Sequence, residues 1–283
     1  MNINPRQYRY YDDVGQHLHT LDGKPLIGTS TATKVISKPL TWWASGLAVK
    51  ALAPGWEKPL DKRKKWTVEE IEKHQASRKS GVEAIKHRIL NSSDNEIVSL
   101  LDKAYRAHTE TLKEAAEEGT DMHAELEGYV KLCIENYKGT PQPGLVGDSK
   151  PVYISSEWAT ANVKRFLASE GHCYSERLWT GGITDCIAEL KDGKLIIIDF
   201  KSSREAYISQ FIQAAGYDIE VAENGILDAN GKLLLKLERP IEGYAIFPFG
   251  AVEVEPQFRH DTEALRKGFE AAVALHQLIN VEN

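Results

Sequence analysis

The chain has 283 residues, enough to bury a substantial core as one large domain or two small ones. Its 27% charged and 42% hydrophobic residues are a globular composition, which excludes a largely disordered chain. The 35 basic and 41 acidic side chains give a formal charge of −6, so the overall charge indicates no polyanionic ligand, although a local basic cluster can still bind one.

The first 118 residues are expected to be mainly helical and to shape a channel. Ser30 or Thr31 can cap a short helix that runs to Ile36, and LTWWASGLAVKAL predicts a second helix that stops before Pro54. Two longer helical runs follow, each with the spacing of a capping box at its start: Thr67 with Glu70, and Ser93 with Glu96.

Glycines divide the next part of the chain. Gly119 is expected to interrupt the helical run that begins after Ser93, and a helix then continues to Gly139. After a loop, Ser156 is expected to cap a helix over EWATANVKRFLASEG, which ends at Gly171.

Beyond Gly171 the spacing at which apolar residues recur changes from 3.6 to 2 residues. Three strands with short turns are predicted over CYSERLW, GITDCIAEL and KLIIIDFK. A helix, a hairpin around Asn230 and Gly231, a strand EGYAIFPF and a closing helix complete the chain. This order predicts an α/β fold with a central mixed β-sheet flanked by helices, as a single domain with a helical N-terminal part, 1–118, and a core, 119–283.

Two carboxylates are predicted to face each other in the hairpin of the last two of these strands. A three-residue loop, KDG, pairs Leu190 with Lys194 and brings Asp185 opposite Asp199, whereas a two-residue loop would put Asp199 on the other face. Asp199 and Lys201 end a strand that begins with four apolar residues, as is typical of a strand covered on both faces.

Carboxylates at a buried sheet end repel each other unless a cation separates them. Asp and Glu oxygens suit Mg²⁺ or Mn²⁺, and Lys201 can orient or deprotonate a water or offset charge on a phosphate. A surface Asp–Lys pair is the usual alternative for an isolated D-x-K. The apolar run before Asp199 and the second aspartate in register favour the metal site.

Four short motifs carry a resemblance to a known family. Two of them are an aspartate after a glycine-containing turn, GITD ending at Asp185, and D-x-K at 199–201. The other two are G-x-x-x-H ending at His123 and Q-x-x-x-Y from Gln213 to Tyr217. The chain thereby resembles the RecB-like branch of the PD-(D/E)XK nuclease superfamily. Within that branch it is most similar to the family of the mitochondrial genome maintenance exonuclease and its viral and bacterial relatives, over about 119–217.

The resemblance implies a metal-dependent DNA exonuclease that acts on single strands or free ends in replication, recombination or repair, with one or two Mg²⁺ or Mn²⁺ ions. It also implies the site residues. The metal ligands would be His123, Asp185, Asp199 and the Phe200 carbonyl, with Glu176 as a further candidate. The other catalytic residues would be Lys201, Gln213 and Tyr217, with Gln210 as a rival to Gln213, and Glu127 would support His123.

DNA is the expected partner, together with replication or recombination proteins. Ser202, Ser203 and Arg204 directly follow Lys201, so contact with phosphates of the cleaved strand is predicted. Cations beside an aromatic residue suit a single-strand groove, as in the run of Lys64, Lys65 and Trp66, although a solvated helix face is the alternative for each of them.

The cysteines and the N-terminus bear on compartment and cofactors. Cys133, Cys173 and Cys186 are widely spaced, which predicts reduced thiols, and relatives with an iron–sulfur cluster use four cysteines, so no cluster is expected. The polar N-terminus is unlike a signal peptide, and no apolar run is long enough to cross a bilayer. We therefore expect a cytoplasmic protein without membrane contact, acting in a host cell if virus-encoded.

Three other functions fit the same motifs. One is a double-strand-specific exonuclease that resects ends for recombination, and another is an endonuclease. The third is a DNA-binding accessory protein without turnover, against which the intact Asp…Asp-x-Lys argues, because a degenerate relative should lose a carboxylate or the lysine first.

Overall fold

The computed structural model describes residues 6–13, 16–36, 41–53, 65–143, 150–251 and 253–280. The helices are α1 Thr29–Thr33, followed by a 3₁₀ turn at Lys34–Ile36, α2 Thr41–Leu52, α3 Val68–Asn91, α4 Asp94–Tyr137, α5 Lys150–Asn162, α6 Ile208–Asn224 and α7 Thr262–Asn280. The strands are β1 Tyr8–Asp13, β2 Gln16–Leu21, β3 Lys24–Pro25, β4 Ile27–Gly28, β5 Val163–Ser175, β6 Thr180–Leu190, β7 Leu195–Lys201, β8 Ile226–Leu227, β9 Leu233–Leu235, β10 Gly243–Pro248 and β11 Gln257–Arg259.

A mixed sheet of eight strands forms the centre of the protein. Seven strands follow the order β11-β10-β7-β6-β5-β8-β9, and β4 pairs in parallel with the start of β6. β7 and β10 are parallel neighbours whose connection contains α6, as a crossover requires, while β5, β6 and β7 form an antiparallel meander. The predicted α/β class and mixed sheet are confirmed.

Helices cover both faces of this sheet. The C-terminal half of α4 and α5 pack on one face, where Leu126 and Tyr129 join Ile196 and Ile198 of β7 in one apolar cluster. α6 covers the other face, where its apolar side chains cluster with Ile197 of β7. The central strand β7 is therefore buried on both sides, as its unbroken apolar run predicted.

The chain forms two compact units, one of residues 1–37 with 118–283 and the other of residues 38–117. The first unit contains the central sheet and also the N-terminal strands β1–β3, which form a separate antiparallel sheet. Thr29, the first residue of α1, connects the N-terminal part of this unit to α6. Its hydroxyl donates a 2.6 Å hydrogen bond to the buried carboxylate of Glu220 on α6. The mainly helical prediction for residues 1–118 missed these strands.

Both capping boxes are confirmed at helix starts. The Thr67 N–H donates to Glu70 and the Glu70 N–H donates back to the Thr67 hydroxyl before α3, and Ser93 and Glu96 repeat this pairing before α4. The predicted interruption at Gly119 is wrong, because α4 runs unbroken through it. One glycine costs a helix interior only about 1 kcal/mol, which a long helix tolerates.

The helix predicted between Ser156 and Gly171 is wrong at both ends. α5 begins earlier, at Lys150, and ends at Asn162, and the following residues form the long strand β5. Two bulges in β5, between Val163 and Arg165 and between Phe166 and Ala168, each place two residues opposite one on β6. Two of the intervals between buried residues of β5, Val163 to Phe166 and Ala168 to Gly171, are three residues long, as in a helix.

Among the described residues, no helix is both long and apolar enough to cross a membrane.

Two helical glycines give a matched test of the packing. A Cβ on Gly216 of α6 would lie 2.6 Å from Phe269 of α7 and 2.7 Å from Thr29, whereas a Cβ on Gly128 of α4 would meet nothing within 4 Å. We expect Gly216→Ala to lower the free energy of unfolding by about 1–3 kcal/mol through overpacking. Gly128→Ala should raise it by about 0.5–1 kcal/mol through helix propensity.

Urea titration followed by circular dichroism measures both changes. A Gly216→Ala variant as stable as the parent protein would contradict the close packing of α6 on α7 and Thr29.

Candidate metal centre

The hairpin of β6 and β7 brings two aspartates together. The Leu190 N–H donates to the Lys194 carbonyl at 2.8 Å, and Gly193 has a φ of +93°, as the predicted three-residue loop requires. The observed pairs run from Glu189 with Leu195 to Cys186 with Ile198, and one further step in this register places Asp185 opposite Asp199. The predicted pairing is confirmed.

Asp185 is held from two sides. Its Oδ2 accepts a 2.8 Å hydrogen bond from the Phe200 N–H at the end of β7 and lies 3.5 Å from Nδ1 of His123 on α4. The Asp185 side chain is only 12% exposed, so both contacts form in a largely dry environment. His123 thus lies at the sheet end as predicted, and the Phe200 carbonyl stays a predicted ligand.

Glu170 on β5 is the third member of this cluster. The pairing of β5 with β6 leaves it opposite Asp185. Ligand atoms of His123, Glu170 and Asp185 all lie within 4.8 Å of one another, the one such group found among the described residues. Glu170 has a φ of +47°, and a non-glycine residue in this region is uncommon and strained, as often found at functional sites.

Sequence analysis missed Glu170 and pointed to Glu176 instead. Glu170 fell in the segment predicted as helix, where no sheet partner could be assigned to it. Glu176 lies in the turn after β5, and its carboxylate pairs with the Arg6 guanidinium rather than with the cluster. Six residues of strand span about 20 Å, so Glu176 is placed well away from the other ligands.

Asp199 and Lys201 form a buried ion pair next to this cluster. The Lys201 Nζ lies 2.6 Å from Asp199 Oδ2, and the Asp199 side chain is 1% exposed. Asp199 Oδ1 accepts no hydrogen bond from the described part of the chain. Burial raises the pKa of Asp199, and Asp185 adds to the rise while Lys201 opposes it. Burial alone would lower the pKa of Lys201, but Asp199 and Asp185 outweigh it and raise that pKa, so the lysine stays a cation.

Carboxylates outnumber cations at this site. Burial raises the pKa of Glu170 to about 8, and the charges of Asp185 and Glu127 add to that rise. Glu127, predicted to support His123, pairs with Lys131 instead. A cation would stabilise the ionised forms of these carboxylates, and Glu170, Asp185 and His123, with Asp199 beside them, are ligand types that fit Mn²⁺ or Mg²⁺.

Gln213 and Gln210 have different roles in the structure. The Gln213 amide donates a 2.6 Å hydrogen bond to the hydroxyl of buried Tyr217. Burial raises the pKa of Tyr217, and the carboxylates of Asp199 and Asp185 add to it, so this side chain lies in the field of the cluster. Gln210 instead accepts from the Tyr207 N–H at the start of α6 and donates a 3.1 Å hydrogen bond to the Ser203 hydroxyl just after β7. Gln213 therefore contacts a tyrosine near the carboxylates, and Gln210 contacts the segment that follows Lys201.

The predicted DNA-contacting residues lie in two places. Ser202, Ser203 and Arg204 follow β7 directly, and Arg204 is exposed. The Ser203 hydroxyl donates to the Glu205 carbonyl, so it stabilises the bend of the chain that follows β7. In the other compact unit, Lys65 is exposed and Trp66 half-buried before α3, while Lys64 lies outside the described residues.

No protein-family model matches the chain, and no curated protein matches it significantly. The chemistry of the site therefore has to be argued from its own geometry.

The two glutamates give a direct test of the ligand set. We expect Glu170→Gln to weaken Mn²⁺ binding roughly tenfold or more, since even residues that only support metal ligands contribute about 10- to 100-fold. Glu176→Gln, which removes a carboxylate from the same strand–turn region, should leave Mn²⁺ affinity unchanged. Isothermal titration calorimetry with Mn²⁺ measures both, and equal losses in the two variants would contradict the placement of the ligands.

Proposed function

We propose that the chain is a metal-dependent deoxyribonuclease with a PD-(D/E)XK core, which removes nucleotides from single-stranded DNA or free DNA ends in replication, recombination or repair. The observation that carries the proposal is the meeting of His123, Glu170 and Asp185 beside the buried Asp199–Lys201 pair. Buried carboxylates clustered with a lysine are costly for stability, so a role in chemistry accounts for them better than a role in folding.

The four side chains that would hold Mg²⁺ or Mn²⁺ come from four different elements: His123 from α4, Glu170 from β5, Asp185 from β6 and Asp199 from β7. When bound, such an ion polarises the scissile phosphate and makes a water molecule a better nucleophile. The protein contributes a fixed, partly dry frame, because the Phe200 N–H orients Asp185 and the sheet fixes Asp199.

Lys201 acts in this proposal as a cation rather than as a base. The Asp199 and Asp185 carboxylates raise the pKa of Lys201, and an ammonium at this position can stabilise negative charge that develops on the phosphate. About a fifth of its side chain is exposed. On α6, the Gln213 amide donates to the Tyr217 hydroxyl and so fixes the orientation of that side chain.

The same hairpin contains a second D-x-K that serves as an internal comparison. Asp192 and Lys194 have the same spacing and form an ion pair of 2.8 Å, but both side chains are about half exposed in the turn. An exposed pair of this kind contributes about 0–1 kcal/mol to stability and has no cluster of ligands beside it. Burial and neighbours, not the motif alone, distinguish the proposed site.

We expect Asp199→Asn and Lys201→Ala each to lower the cleavage rate by about 10²-fold or more, since removing one group that stabilises transition-state charge costs about 2.7–4 kcal/mol. The matched variants Asp192→Asn and Lys194→Ala should cut at the parental rate. Rates are measured on end-labelled linear single-stranded DNA with Mn²⁺, after thermal melts show that each variant is folded. A parental cleavage rate in the Asp199→Asn variant would contradict the assignment of this site as catalytic.

The choice of substrate separates the proposed activity from its alternatives. With Mg²⁺ or Mn²⁺, the protein should shorten linear single strands and leave a circular single strand intact, and EDTA should stop the reaction. Cleavage of the circle would indicate an endonuclease, and preference for linear duplex would indicate an end-resecting enzyme. Binding without cleavage under either metal would overturn the enzymatic proposal in favour of an accessory protein.

A further inference from the structure

The hairpin of β1 and β2 presents a cluster of aromatic rings beside β5. The Tyr10 ring lies with its centroid 4.7 Å from that of His172 and 4.9 Å from that of His19. His17 lies nearly parallel to Tyr10, with an interplanar angle of 8° and centroids 6.1 Å apart, an offset arrangement. These four rings are called the aromatic wall below.

The wall rests on a well-packed base. Tyr8, the next inward-facing residue of β1, stacks on Tyr174 of β5 with centroids 5.3 Å apart, and its hydroxyl lies 2.6 Å from His19 Nδ1. Burial lowers the pKa of His19 to about 4, so its ring is uncharged at neutral pH. The wall is therefore held rigidly against the core.

The aromatic wall and the candidate metal centre share the strand β5. His172 follows Glu170 by two residues on β5, a distance of about 7 Å along a strand. Burial raises the pKa of the Tyr10 hydroxyl, and Asp12 and Glu170 add to the rise, which places Tyr10 within the field of the Glu170 carboxylate. A nucleotide with its phosphate at the metal centre would have its base within reach of these rings.

The outer part of the wall is open to solvent. The His17 side chain is 69% exposed, and Tyr10 and His172 are half-buried. The carboxylates of Asp12 and Glu170 lie near Tyr10, so the surroundings disfavour a phosphate and favour an uncharged ring. An unpaired nucleobase is an uncharged ring of this kind, and bases stack on aromatic side chains whatever their sequence.

We propose that the aromatic wall is a stacking subsite for an unpaired base at the end of a DNA strand. This inference rests on the proposed nuclease function and adds a reason for single-strand selectivity, because a base within a duplex already stacks on its neighbours. Tyr10 is the central ring of the subsite, and His17 and His172 flank it.

Adjacent tyrosines on opposite faces of β1 provide the matched variants. Tyr10 points into the wall, while Tyr11 is 49% exposed and has no ring contact among the described residues. Tyr10→Leu keeps an apolar side chain but removes the ring, Tyr10→Phe keeps the ring, and Tyr11→Leu is the control. Should Tyr10→Leu fail to fold in a circular dichroism melt, the exposed His17 replaced by alanine takes its place.

The measurement is fluorescence anisotropy in EDTA, so that binding is observed without turnover. The probes are a labelled single strand, the same strand with abasic nucleotides at both ends, and a blunt duplex. We expect the parental protein to bind the base-bearing strand roughly 5- to 150-fold more tightly than the abasic strand, as stacking energies of about 1–3 kcal/mol predict. Tyr10→Leu should lose that preference, while Tyr10→Phe and Tyr11→Leu should keep it.

Cleavage of the same probes with Mn²⁺ separates this inference from the proposed function. A parental protein that cuts DNA but binds both strands equally, or a Tyr10→Leu variant that keeps the preference or loses affinity equally for duplex, overturns the stacking subsite alone. A protein that binds the base-bearing strand more tightly than the abasic strand but cleaves neither supports the subsite and overturns the nuclease proposal.

Discussion

The burial of the Asp199 carboxylate at the end of the central strand is the constraint on which the rest of the site depends. A charged group with 1% exposure is costly unless its neighbours compensate it, and here Lys201 compensates one oxygen only. The sheet cannot move this carboxylate into solvent, because β7 is covered by helices on both faces. Protonation, which the raised pKa of Asp199 favours, or a bound cation would compensate the rest.

The fold concentrates further charge at the same point. β5, β6 and β7 are consecutive antiparallel neighbours, so Glu170, Asp185 and Asp199 lie in adjacent strands at one level of the sheet. α4 adds His123 because its apolar side chains, including Leu126 and Tyr129, pack on the sheet face that carries Ile196 and Ile198. The proposed ligands are therefore placed by the packing of four separate elements, which would give a metal ion a rigid support.

Local rules in the sequence predicted the central part of this site. The loop before Lys194 determined the register, and the register determined that Asp185 meets Asp199, so these features follow from residues close together in the chain. Glu170 could not be found in the same way, because the bulges of β5 imitate a helical spacing of buried residues. Its placement depends on pairing with β6, which only the folded sheet reveals.

The N-terminal strands were missed for a related reason. β1 and β2 are short, and their stability comes from docking Tyr8 and Leu21 against Tyr174 and Leu227, residues far along the chain. A short polar hairpin has little intrinsic signal until such partners are known. Long-range packing thus placed both Glu170 and the aromatic wall, while local turn chemistry placed the aspartates.

The most direct test of the central claim is anomalous diffraction from crystals grown with Mn²⁺, recorded on both sides of the manganese absorption edge. The account predicts a peak bounded by His123, Glu170, Asp185 and Asp199, at about 2 Å from their nitrogen and oxygen atoms. A well-ordered structure at saturating Mn²⁺ with no peak there, or with manganese held by other side chains, would contradict it.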